Sequence, residues 1–574
     1  MSEVLVRVDN LSKVFTPGAP PALDGISTEI RAGQFVGLAG PDGAGKTTLI
    51  RMVAGLLQPT QGSVTIAGYD TVKDANVIPL LIGYMPQRFG LYEDLTVIQN
   101  LNLYADLGSV VGEERKEAFE RLLRFTGLSP FKDRLAGALS GGMKQKLGLA
   151  CTLIRKPTLL LLDEPSVGVD PFSRRELWKM VHDLLKENIA VVWSTAYLDE
   201  AAQCDTVLLL NEGKRVFQGD PQILTERVKG RVFKVSIQEG SRRQLLKDLL
   251  NSKEVVDGVM QGRDLRIVTK EPLPPQIDKA HYPNATVSPI PPRFEDAFID
   301  LLGGVHTGSS ILADHMPEVK EKMRDVIVAE DLTKKFGDFT AASDISFKVP
   351  PGKIFGLIGP NGAGKSTTFK MLCGLLKPTH GQASVIGYDL QTSPGAARAA
   401  IGYMAQKFSL YGDLSVLQNL EFFSGIYTMS GKRQRDAVNS MVEIFGLKPY
   451  LNEVASLLPL GFKQRLALSC STMHNPSVLF LDEPSSGVDP LTRREFWNHI
   501  NGVVGKGVTV MVTTHFLDEA EYCDTIALIY RGKVIKMGSP EELKESAQSQ
   551  ENSNPTLEDA FIKLIEKYDA ENPL

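Results

Sequence analysis

Cysteine is scarce in this sequence and is not arranged for metal binding. The chain has five cysteines among 574 residues, an odd number scattered without metal-ligand spacing. That usage excludes a disulfide framework. The histidines at positions 281, 306 and 315 fall in loop or linker sequence and also lack ligand spacing, so we interpret them as solvated side chains. A reducing cytoplasm is therefore the expected location.

Long apolar runs are also missing. A helix that spans a bilayer needs roughly 20 consecutive apolar residues, and the runs here, such as residues 159–162 and 189–193, are far shorter. Residues 4–8 alternate apolar and polar side chains, unlike a signal peptide. If a membrane is involved, we expect other chains to span it.

Positive charge is not in excess either. Lysine and arginine number 63 against 68 aspartate and glutamate residues, for a formal net charge of −5. A nucleic-acid-binding protein is usually basic, so no nucleic-acid partner is expected. The hydrophobic fraction of 43% is too high for a disordered chain. The length also exceeds what one hydrophobic core supports, which predicts two large domains with accessory pieces.

What the sequence does contain is one unit written twice. Residues of the same type recur 319 positions apart, as in the pairs Lys46 and Lys365, Gln87 and Gln406, Glu164 and Glu483, and Asp170 and Asp489. Residues 40–196 thus align with residues 359–515 without a net insertion. Each copy predicts an α/β fold, because apolar strands end in a glycine-rich loop or in acidic residues and a helix-rich stretch such as 113–128 separates them.

The repeat sets the domain boundaries. The first copy covers 4–229, an accessory region 230–302, a linker 303–325, the second copy 326–550 and a C-terminal tail 551–574. In the accessory region, a strand at 232–237, a helix at 242–250 and a strand at 265–269 predict a small βαβ (α+β) insert, followed by a proline-rich turn. Residues 294–299 and 557–562 share a Glu-Asp-Ala-Phe-Ile core, which predicts a short amphipathic helix at the end of each half.

Each copy carries a glycine-rich loop of the kind that binds phosphate. The pattern is glycine, four residues, glycine, lysine, then serine or threonine, and each loop follows a predicted strand (35–39 and 354–358) and opens a helix. Converging backbone N–H groups and the positive end of the helix then favour a polyphosphate. The candidate ATP-binding residues are Gly40, Pro41, Asp42, Gly43, Ala44, Gly45, Lys46, Thr47 and Thr48 in the first copy, and Gly359, Pro360, Asn361, Gly362, Ala363, Gly364, Lys365, Ser366 and Thr367 in the second.

A second pair of motifs supplies carboxylates. An apolar strand ends in Asp163-Glu164 in the first copy and in Asp482-Glu483 in the second. Beside a phosphate loop, the aspartates together with the hydroxyls of Thr47 and Ser366 are candidate Mg²⁺ ligands. Glu164 and Glu483 are candidates for polarising the attacking water.

Between these motifs, residues 139–145 of the first copy read Leu-Ser-Gly-Gly-Met-Lys-Gln, which resembles the signature peptide of ABC ATPases. The resemblance covers about 230 residues in each copy. It implies two tandem P-loop domains, each with a helical signature subdomain, that pair head to tail so that each signature closes over the partner's nucleotide. It assigns the signature to Ser140, Gly141, Gly142 and Gly461, and a Mg²⁺-linked glutamine loop to Gln87 and Gln406.

The resemblance implies further site residues. His515 matches the switch histidine, and the segments 168–170 and 487–489 match the D-loop. Phe336, 29 positions before Lys365, stands where the family places a ring against adenine. Phe15 is the corresponding candidate in the first copy, although two extra residues separate it from its lysine. A core phenylalanine is the alternative for both rings.

The two copies disagree at positions that carry chemistry. The second signature has Pro459 and Leu460 in place of serine and glycine, which removes a hydroxyl and a backbone N–H and adds bulk. The first copy has Ala196 where the second has His515, and Asp42 where the second has Asn361. If the halves pair within one chain, every defect falls in the site on the first glycine loop, which predicts an asymmetric ATPase.

The resemblance leaves three functional interpretations. The leading one is the ATPase subunit of an ABC-2-type exporter of drug-like compounds or ions, because the two amphipathic tails resemble a C-terminal element of that class. Such a subunit would bind ATP and Mg²⁺, lie on the cytoplasmic face of the inner membrane and work with two separate permease chains. A tandem ATPase of a sugar importer is the second. The third is a ribosome-associated ABC-F factor, which the zero net charge of residues 230–325 disfavours.

Overall fold

The computed structural model describes residues 3–87, 90–304, 310–320, 323–406, 410–548 and 555–573. The chain divides into two compact units. The first unit comprises residues 1–227 with 293–298, and the second comprises residues 228–292 with 299–574. The predicted duplication is therefore a duplication of folded domains, and the accessory region groups with the second copy except for residues 293–298.

The first unit is built on two sheets. Its strands are β1 Val4–Lys13, β2 Leu23–Arg31, β3 Phe35–Ala39, β4 Gln61–Ile66, β5 Tyr69–Asp70, β6 Ile82–Met85, β7 Leu159–Asp163, β8 Ala190–Ser194, β9 Thr206–Asn211 and β10 Lys214–Gly219. The main sheet has the order β10-β9-β3-β8-β7-β6 and is parallel except for β10. The smaller antiparallel sheet has the order β2-β1-β4-β5.

Helices flank the main sheet. They are α1 Lys46–Val53, α2 Ile78–Leu81, α3 Val97–Leu107, α4 Gly112–Thr126, α5 Gly141–Thr152, α6 Pro171–Lys186, α7 Leu198–Ala201 and α8 Pro221–Glu226. Strands β3, β7 and β8 are buried at every residue, as expected of parallel strands covered on both faces. Helices α3, α4 and α5 lie between β6 and β7 in the chain and form the predicted helix-rich stretch.

The insert has one strand more between its predicted strands than the sequence indicated. Its elements are β11 Val232–Ser236, α9 Arg242–Leu250, β12 Val255–Gln261, β13 Asp264–Thr269 and β14 Thr286–Pro289, with sheet order β12-β13-β11-β14. We predicted β11 and β13 as the two strands of the βαβ unit, but these strands are antiparallel. The βαβ unit is instead β11, α9 and β12, with β13 between its strands.

The insert packs against the second copy through buried ion pairs. Arg243 on α9 lies 2.7 Å from Asp524, whose carboxylate also accepts the backbone N–H of Ile354 at 2.9 Å. Asp257 on β12 is 2% exposed and lies 3.3 Å from the guanidinium of Arg494. A buried carboxylate needs such a partner, so these pairs fix where the insert can sit.

Two helices follow the insert before the second copy begins. Helix α10 spans Phe294–Leu301, where the sequence predicts an amphipathic helix, and α11 spans Ile311–His315 inside the predicted linker. Ahead of α11, the Oγ of Ser310 lies 3.0 Å from Nδ1 of His499, and the N–H of Val319 donates to the carbonyl of Lys506 at 2.7 Å. This part of the linker is thus held against the second copy. The predicted linker histidine His306 lies outside the described residues.

The second copy repeats the layout of the first. Its strands are β15 Ile327–Phe336, β16 Phe339–Val349, β17 Ile354–Ile358, β18 His380–Val385, β19 Tyr388–Asp389, β20 Ile401–Met404, β21 Val478–Asp482, β22 Thr509–Thr514, β23 Thr525–Tyr530 and β24 Lys533–Gly538. Its helices are α12 Lys365–Leu372, α13 Pro394–Ala400, α14 Val416–Ile426, α15 Gly431–Ile444, α16 Leu460–Thr472, α17 Pro490–Gly505, α18 Leu517–Ala520, α19 Pro540–Glu545 and α20 Leu557–Glu571. The main sheet has the order β20-β21-β22-β17-β23-β24.

The last helix, α20, is the second predicted amphipathic tail. Its residues Leu557 and Phe561 are buried, and Asp569 accepts from the hydroxyl of Tyr530 at 2.9 Å. In the described part of the chain, every helix is too short or too polar to cross a bilayer.

Candidate nucleotide sites

Each glycine loop connects the central strand of its main sheet to a helix. The loop after β3 leads into α1, and the loop after β17 leads into α12. Gly45 and Gly364 precede these helices with φ of 103°, a left-handed conformation that side chains disfavour. A Cβ on Gly40 or Gly359 would lie 2.1 Å from a carbonyl oxygen of the neighbouring strand. Glycine is therefore required for the loop to close so tightly.

The loop lysines lie across the mouths of these loops. Nζ of Lys46 donates to the carbonyls of Gly40 and Pro41 at 2.8 and 3.1 Å. Nζ of Lys365 makes the same contacts with Gly359 and Pro360 at 2.7 and 3.0 Å. Both lysines are buried. A cation held over converging N–H groups at a helix start is chemistry suited to a phosphate chain.

The acidic strands end beside the glycine loops, as the sequence predicts. In the first copy, the hydroxyl of Thr47 donates to Oδ1 of Asp163 at 3.2 Å. In the second copy, Asp482 accepts from the hydroxyl of Thr513, the residue two before His515. Burial raises the pKa of both aspartates, an effect expected of carboxylates held out of water.

Each glutamate that follows is held in an unusual backbone conformation. Glu164 has φ of 51° and Glu483 has φ of 47°, in the left-handed region. Strain of this kind concentrates where a side chain must be aimed at a reacting group. The glutamine loops supply partners, since Nε2 of Gln87 donates to Glu164 at 2.6 Å and Nε2 of Gln406 donates to Glu483 at 2.8 Å.

The two glutamates nevertheless differ in electrostatics. In the second copy, Nδ1 of His515 lies 3.4 Å from Oε2 of Glu483, with both side chains buried. Burial alone would raise the pKa of Glu483, but the hydrogen bond and charge of His515, aided by Lys365, lower it to about 2.

The first copy has no such imidazole, because Ala196 stands in its place. Burial, reinforced by the charges of Asp163 and Asp42 and opposed by Lys46, raises the pKa of Glu164 to about 7. The side chains predicted for equivalent roles therefore sit in opposite electrostatic environments.

The signature segments begin helices α5 and α16. Ser140 caps α5, its hydroxyl accepting the N–H of Met143 at 3.3 Å, whereas Pro459 occupies the same place before α16 without a side-chain cap. A Cβ on Gly142 would lie 2.4 Å from the hydroxyl of Ser173, so this glycine is sterically required. Asp170 and Asp489 cap the helices α6 and α17.

The candidate adenine rings are exposed. Phe15 is 63% and Phe336 51% accessible to solvent, and each has a lysine ammonium over its ring, Lys13 at 5.4 Å and Lys334 at 5.3 Å. Neither ring belongs to the core, which was the alternative to stacking. Phe89 and Phe408, two positions after Gln87 and Gln406, lie outside the described residues.

The residues present fit a magnesium nucleotide. In the described part of the chain, Oδ2 of Asp163 and Nε2 of His515 are buried without a hydrogen-bond partner, and such orphaned atoms call for a ligand. Clusters of three or more carboxylate, histidine or cysteine groups around a cation were not found among these residues. A Mg²⁺ here would thus rely on Thr47 or Ser366, an aspartate and phosphate oxygens.

Sequence analysis missed a buried carboxylate beside each site. Glu200 accepts from the side chains of Ser166, Trp193 and Thr195 at 2.8, 2.9 and 2.6 Å. Glu519 accepts from Ser485 and from Thr514, the latter at 2.8 Å. The signal was available, since each serine, threonine and glutamate of this set recurs at the 319-residue offset.

Paired glycine loops, acidic strands and signature helices define a P-loop ATPase of the ABC type. A family model described as ABC transporter matches residues 23–167 and 342–486, and the chain belongs to that family. Its two domains are ABC ATPase domains, and the chain is an ATP-binding and ATP-hydrolysing protein.

The relatives are ATP-binding proteins of transporters. The chain is 56% identical, over the full length of both proteins, to the "Probable multidrug ABC transporter ATP-binding protein YbhF" of Escherichia coli strain K12. It is 36% identical over 214 residues, 37% of this chain and 68% of the relative, to the "Nod factor export ATP-binding protein I" of Rhizobium etli. It is also 36% identical over 219 residues, 38% of this chain and 69% of the relative, to the "Daunorubicin resistance ATP-binding protein DrrA3" of Streptomyces coeruleorubidus.

Proposed function

We propose that this chain is the ATPase subunit of a membrane exporter and that its two nucleotide sites are unequal. One site, on the second glycine loop, turns ATP over. The other, on the first glycine loop, holds nucleotide without efficient turnover. The observation that carries this proposal is His515 at 3.4 Å from Glu483, where the first copy offers only Ala196.

In the proposed working site, each residue has a defined task. Lys365 and the loop N–H groups bind the β- and γ-phosphates, and Glu483 accepts a hydrogen bond from the attacking water. Nε2 of His515, which makes no hydrogen bond within the described residues, donates to the γ-phosphate. Nδ1 of the same ring faces Glu483. Together the two contacts hold the attacking water in line with the γ-phosphate. Ser366, Asp482 and Gln406 would hold Mg²⁺, which would supply charge neutralisation on the phosphates. Phe336 stacks on the adenine.

The first glycine loop carries the same phosphate-binding parts, Gly40 to Thr48, with Asp163 and Gln87 toward the metal and Phe15 toward the base. It lacks an imidazole, and Asp42 adds negative charge beside a polyphosphate. Pairing of the two halves head to tail would also place it under the second signature, where Pro459 and Leu460 replace serine and glycine. The other site would receive Ser140, Gly141 and Gly142. Intramolecular pairing therefore collects all the defects in one site.

Substitution of the two glutamates tests the asymmetry. Loss of a positioned catalytic group costs about 10²- to 10⁴-fold in rate, so Glu483→Gln should abolish steady-state ATP hydrolysis by the purified chain. Glu164→Gln should retain most of the rate. An equal loss in both variants would contradict the proposal. Binding of a fluorescent ATP analogue to each variant serves as the control for folded nucleotide sites.

Export is supported by the tails and by the relatives. Helices α10 and α20 carry the shared Glu-Asp-Ala-Phe-Ile core, and the relatives are named for multidrug transport, Nod factor export and daunorubicin resistance. We propose a drug-like or ionic substrate, two separate permease chains and a position on the cytoplasmic face of the inner membrane. The zero net charge of residues 230–325 disfavours a ribosome-bound role.

Affinity purification from detergent-solubilised membranes tests the partner. The tagged full chain should copurify with two polytopic membrane proteins in an ATP-dependent manner. Glu483→Gln, which should trap the nucleotide-bound state, should increase their recovery. Copurification of ribosomal proteins instead would overturn the exporter proposal in favour of a translation factor. A substrate-binding protein among the partners would favour import.

A further inference from the structure

A buried carboxylate in the second copy connects the segments that carry Glu483 and His515. Glu519, on α18, is 1% exposed. It accepts the hydroxyl of Ser485, two residues after Glu483, and the hydroxyl of Thr514 at 2.8 Å, directly before His515. Ser485 and Thr514 are themselves fully buried. One side chain thus ties the acidic turn to the histidine segment.

Arg493, on α17, adds a third segment to this network. Its Nε lies 3.5 Å from Oε1 of Glu519, and its Nη2 donates to the carbonyl of Val488 at 3.0 Å. Its guanidinium also lies over the ring of Phe516, 5.2 Å from the centroid. The Gly487-Val488-Asp489 segment is therefore connected through Arg493 and Glu519 to the neighbours of His515.

The geometry makes the network sensitive to charge. A buried carboxylate with hydroxyl donors and a guanidinium is well satisfied as an anion. A neutral amide at position 519 would aim N–H groups at donors and remove the carboxylate charge that faces the guanidinium of Arg493. The turn after Glu483 and the segment before His515 would then lose their common anchor, and the 3.4 Å spacing between those two side chains would no longer be fixed.

We propose that Glu519 and Arg493 are positioning residues for ATP hydrolysis, holding His515 against Glu483 and coupling that pair to the Val488 segment. This inference rests on the proposed function, in which the second glycine loop carries the working site. Neither residue belongs to the glycine loop, the acidic strand or the signature, so the pair acts through His515. A misplacement of about 1 Å at a reacting centre can cost about 10²-fold in rate.

The first copy supplies a matched control. Glu200 accepts from Ser166 and Thr195 as Glu519 does from Ser485 and Thr514, but the residue that follows Thr195 is Ala196. There the same carboxylate has no catalytic imidazole to position. A purely structural role would make Glu200 and Glu519 equally important for activity, whereas a positioning role makes only Glu519 important.

The test measures steady-state hydrolysis by the full chain carrying Glu519→Gln or Glu200→Gln. Glu519→Gln should lower kcat about 10-fold or more while the KM for ATP stays within about 2-fold, because ground-state binding is untouched. Glu200→Gln should leave kcat within about 2-fold of the parent. Equal losses in the two variants would overturn the inference.

A double variant separates positioning from general damage. If Glu519 acts through His515, Glu519→Gln should cause no further loss of single-turnover rate in a His515→Ala background, since coupled residues are non-additive. A loss as large as in the parent background would mean that Glu519 is merely structural. If Glu519→Gln fails to fold, Thr514→Val and Thr195→Val provide the same comparison. Each removes the threonine hydroxyl that donates to the buried carboxylate of its copy. A positioning role predicts that Thr514→Val lowers kcat and that Thr195→Val does not.

The two proposals fail in different experiments. Full activity in Glu483→Gln together with loss in Glu164→Gln would overturn the proposed working site, and the inference with it. Loss in Glu483→Gln with unchanged kcat in Glu519→Gln and Thr514→Val would overturn the positioning role alone.

Discussion

His474 is a partly buried histidine whose ring is stacked on a tyrosine. Its ring lies 3.5 Å from that of Tyr427, nearly parallel, and its Nε2 donates to the carbonyl of Ile401 at 3.1 Å. Burial lowers the pKa of His474 to about 4, despite this hydrogen bond. The imidazole is thus held in its neutral form against Tyr427, and the first copy has Arg155 at the matching position.

The depressed pKa predicts acid sensitivity of the second copy. In the unfolded chain, His474 takes up a proton near pH 6.5, whereas the folded chain resists until about pH 4. Stability from this residue is therefore present above pH 6.5 and is lost as the pH falls toward 4, by about 1.4 kcal/mol per pH unit. Thermal unfolding followed from pH 7 to 4.5 should show this loss, and His474→Gln should flatten it.

NMR titration of histidine-labelled protein gives an independent check. His474 should titrate near pH 4, whereas exposed His281 should titrate above its usual range, because a hydrogen bond with Asp278 and the charge of that residue raise its pKa. A His474 that titrates near 6.5 would contradict its burial as a neutral ring. The spectrum of His474→Gln assigns the signal.

At the scale of elements, the local sequence pattern predicts those helices and strands that recur in both copies or have a strong apolar periodicity. Strands β3 and β17 and helix α9 occur at the predicted residues, because an unbroken apolar run or a helical period marks each one. Strand β12 was missed because Gly258 and the polar residue Asp257 interrupt its apolar pattern. Asp257 is buried all the same, since Arg494 compensates its charge across the packing surface of the insert.

The linker also contains an element that the local sequence pattern does not predict. Its composition of glycine, serine and mixed charge predicts no element, yet α11 forms there with Ser310 as its cap. The reason is tertiary: a Cβ on Gly502 of α17 would lie 2.5 Å from Cβ of Ser310, so that glycine makes room for the segment. Likewise, the glycine loops were readable from sequence, whereas the Glu519 network required knowing which segments meet. The contact between Arg493 on α17 and Glu519 on α18 joins distant segments, so no local sequence pattern predicts it.

At the scale of the whole molecule, the differences between the copies carry more information than their similarities. Ala196 and Asp42 belong to the first copy and Pro459 and Leu460 to the second. If each copy paired with the same copy of a second chain, every site would have either a sound signature or His515, and no site would have both. A first copy paired with a second copy combines the sound signature with His515 in one site.

Mixing two inactive variants distinguishes pairing within a chain from pairing between chains. Ser140→Pro with Gly141→Leu gives the first signature the proline and leucine of the second, and we expect it to remove hydrolysis as fully as Glu483→Gln does. If both halves of each site come from one chain, an equimolar mixture of the two variants stays inactive, because no molecule has a sound signature together with Glu483. If first and second copies pair across chains, the mixture regains activity, since the sound signature of one variant then closes over Glu483 of the other. Restored hydrolysis would overturn intramolecular pairing while leaving the inequality of the sites in place.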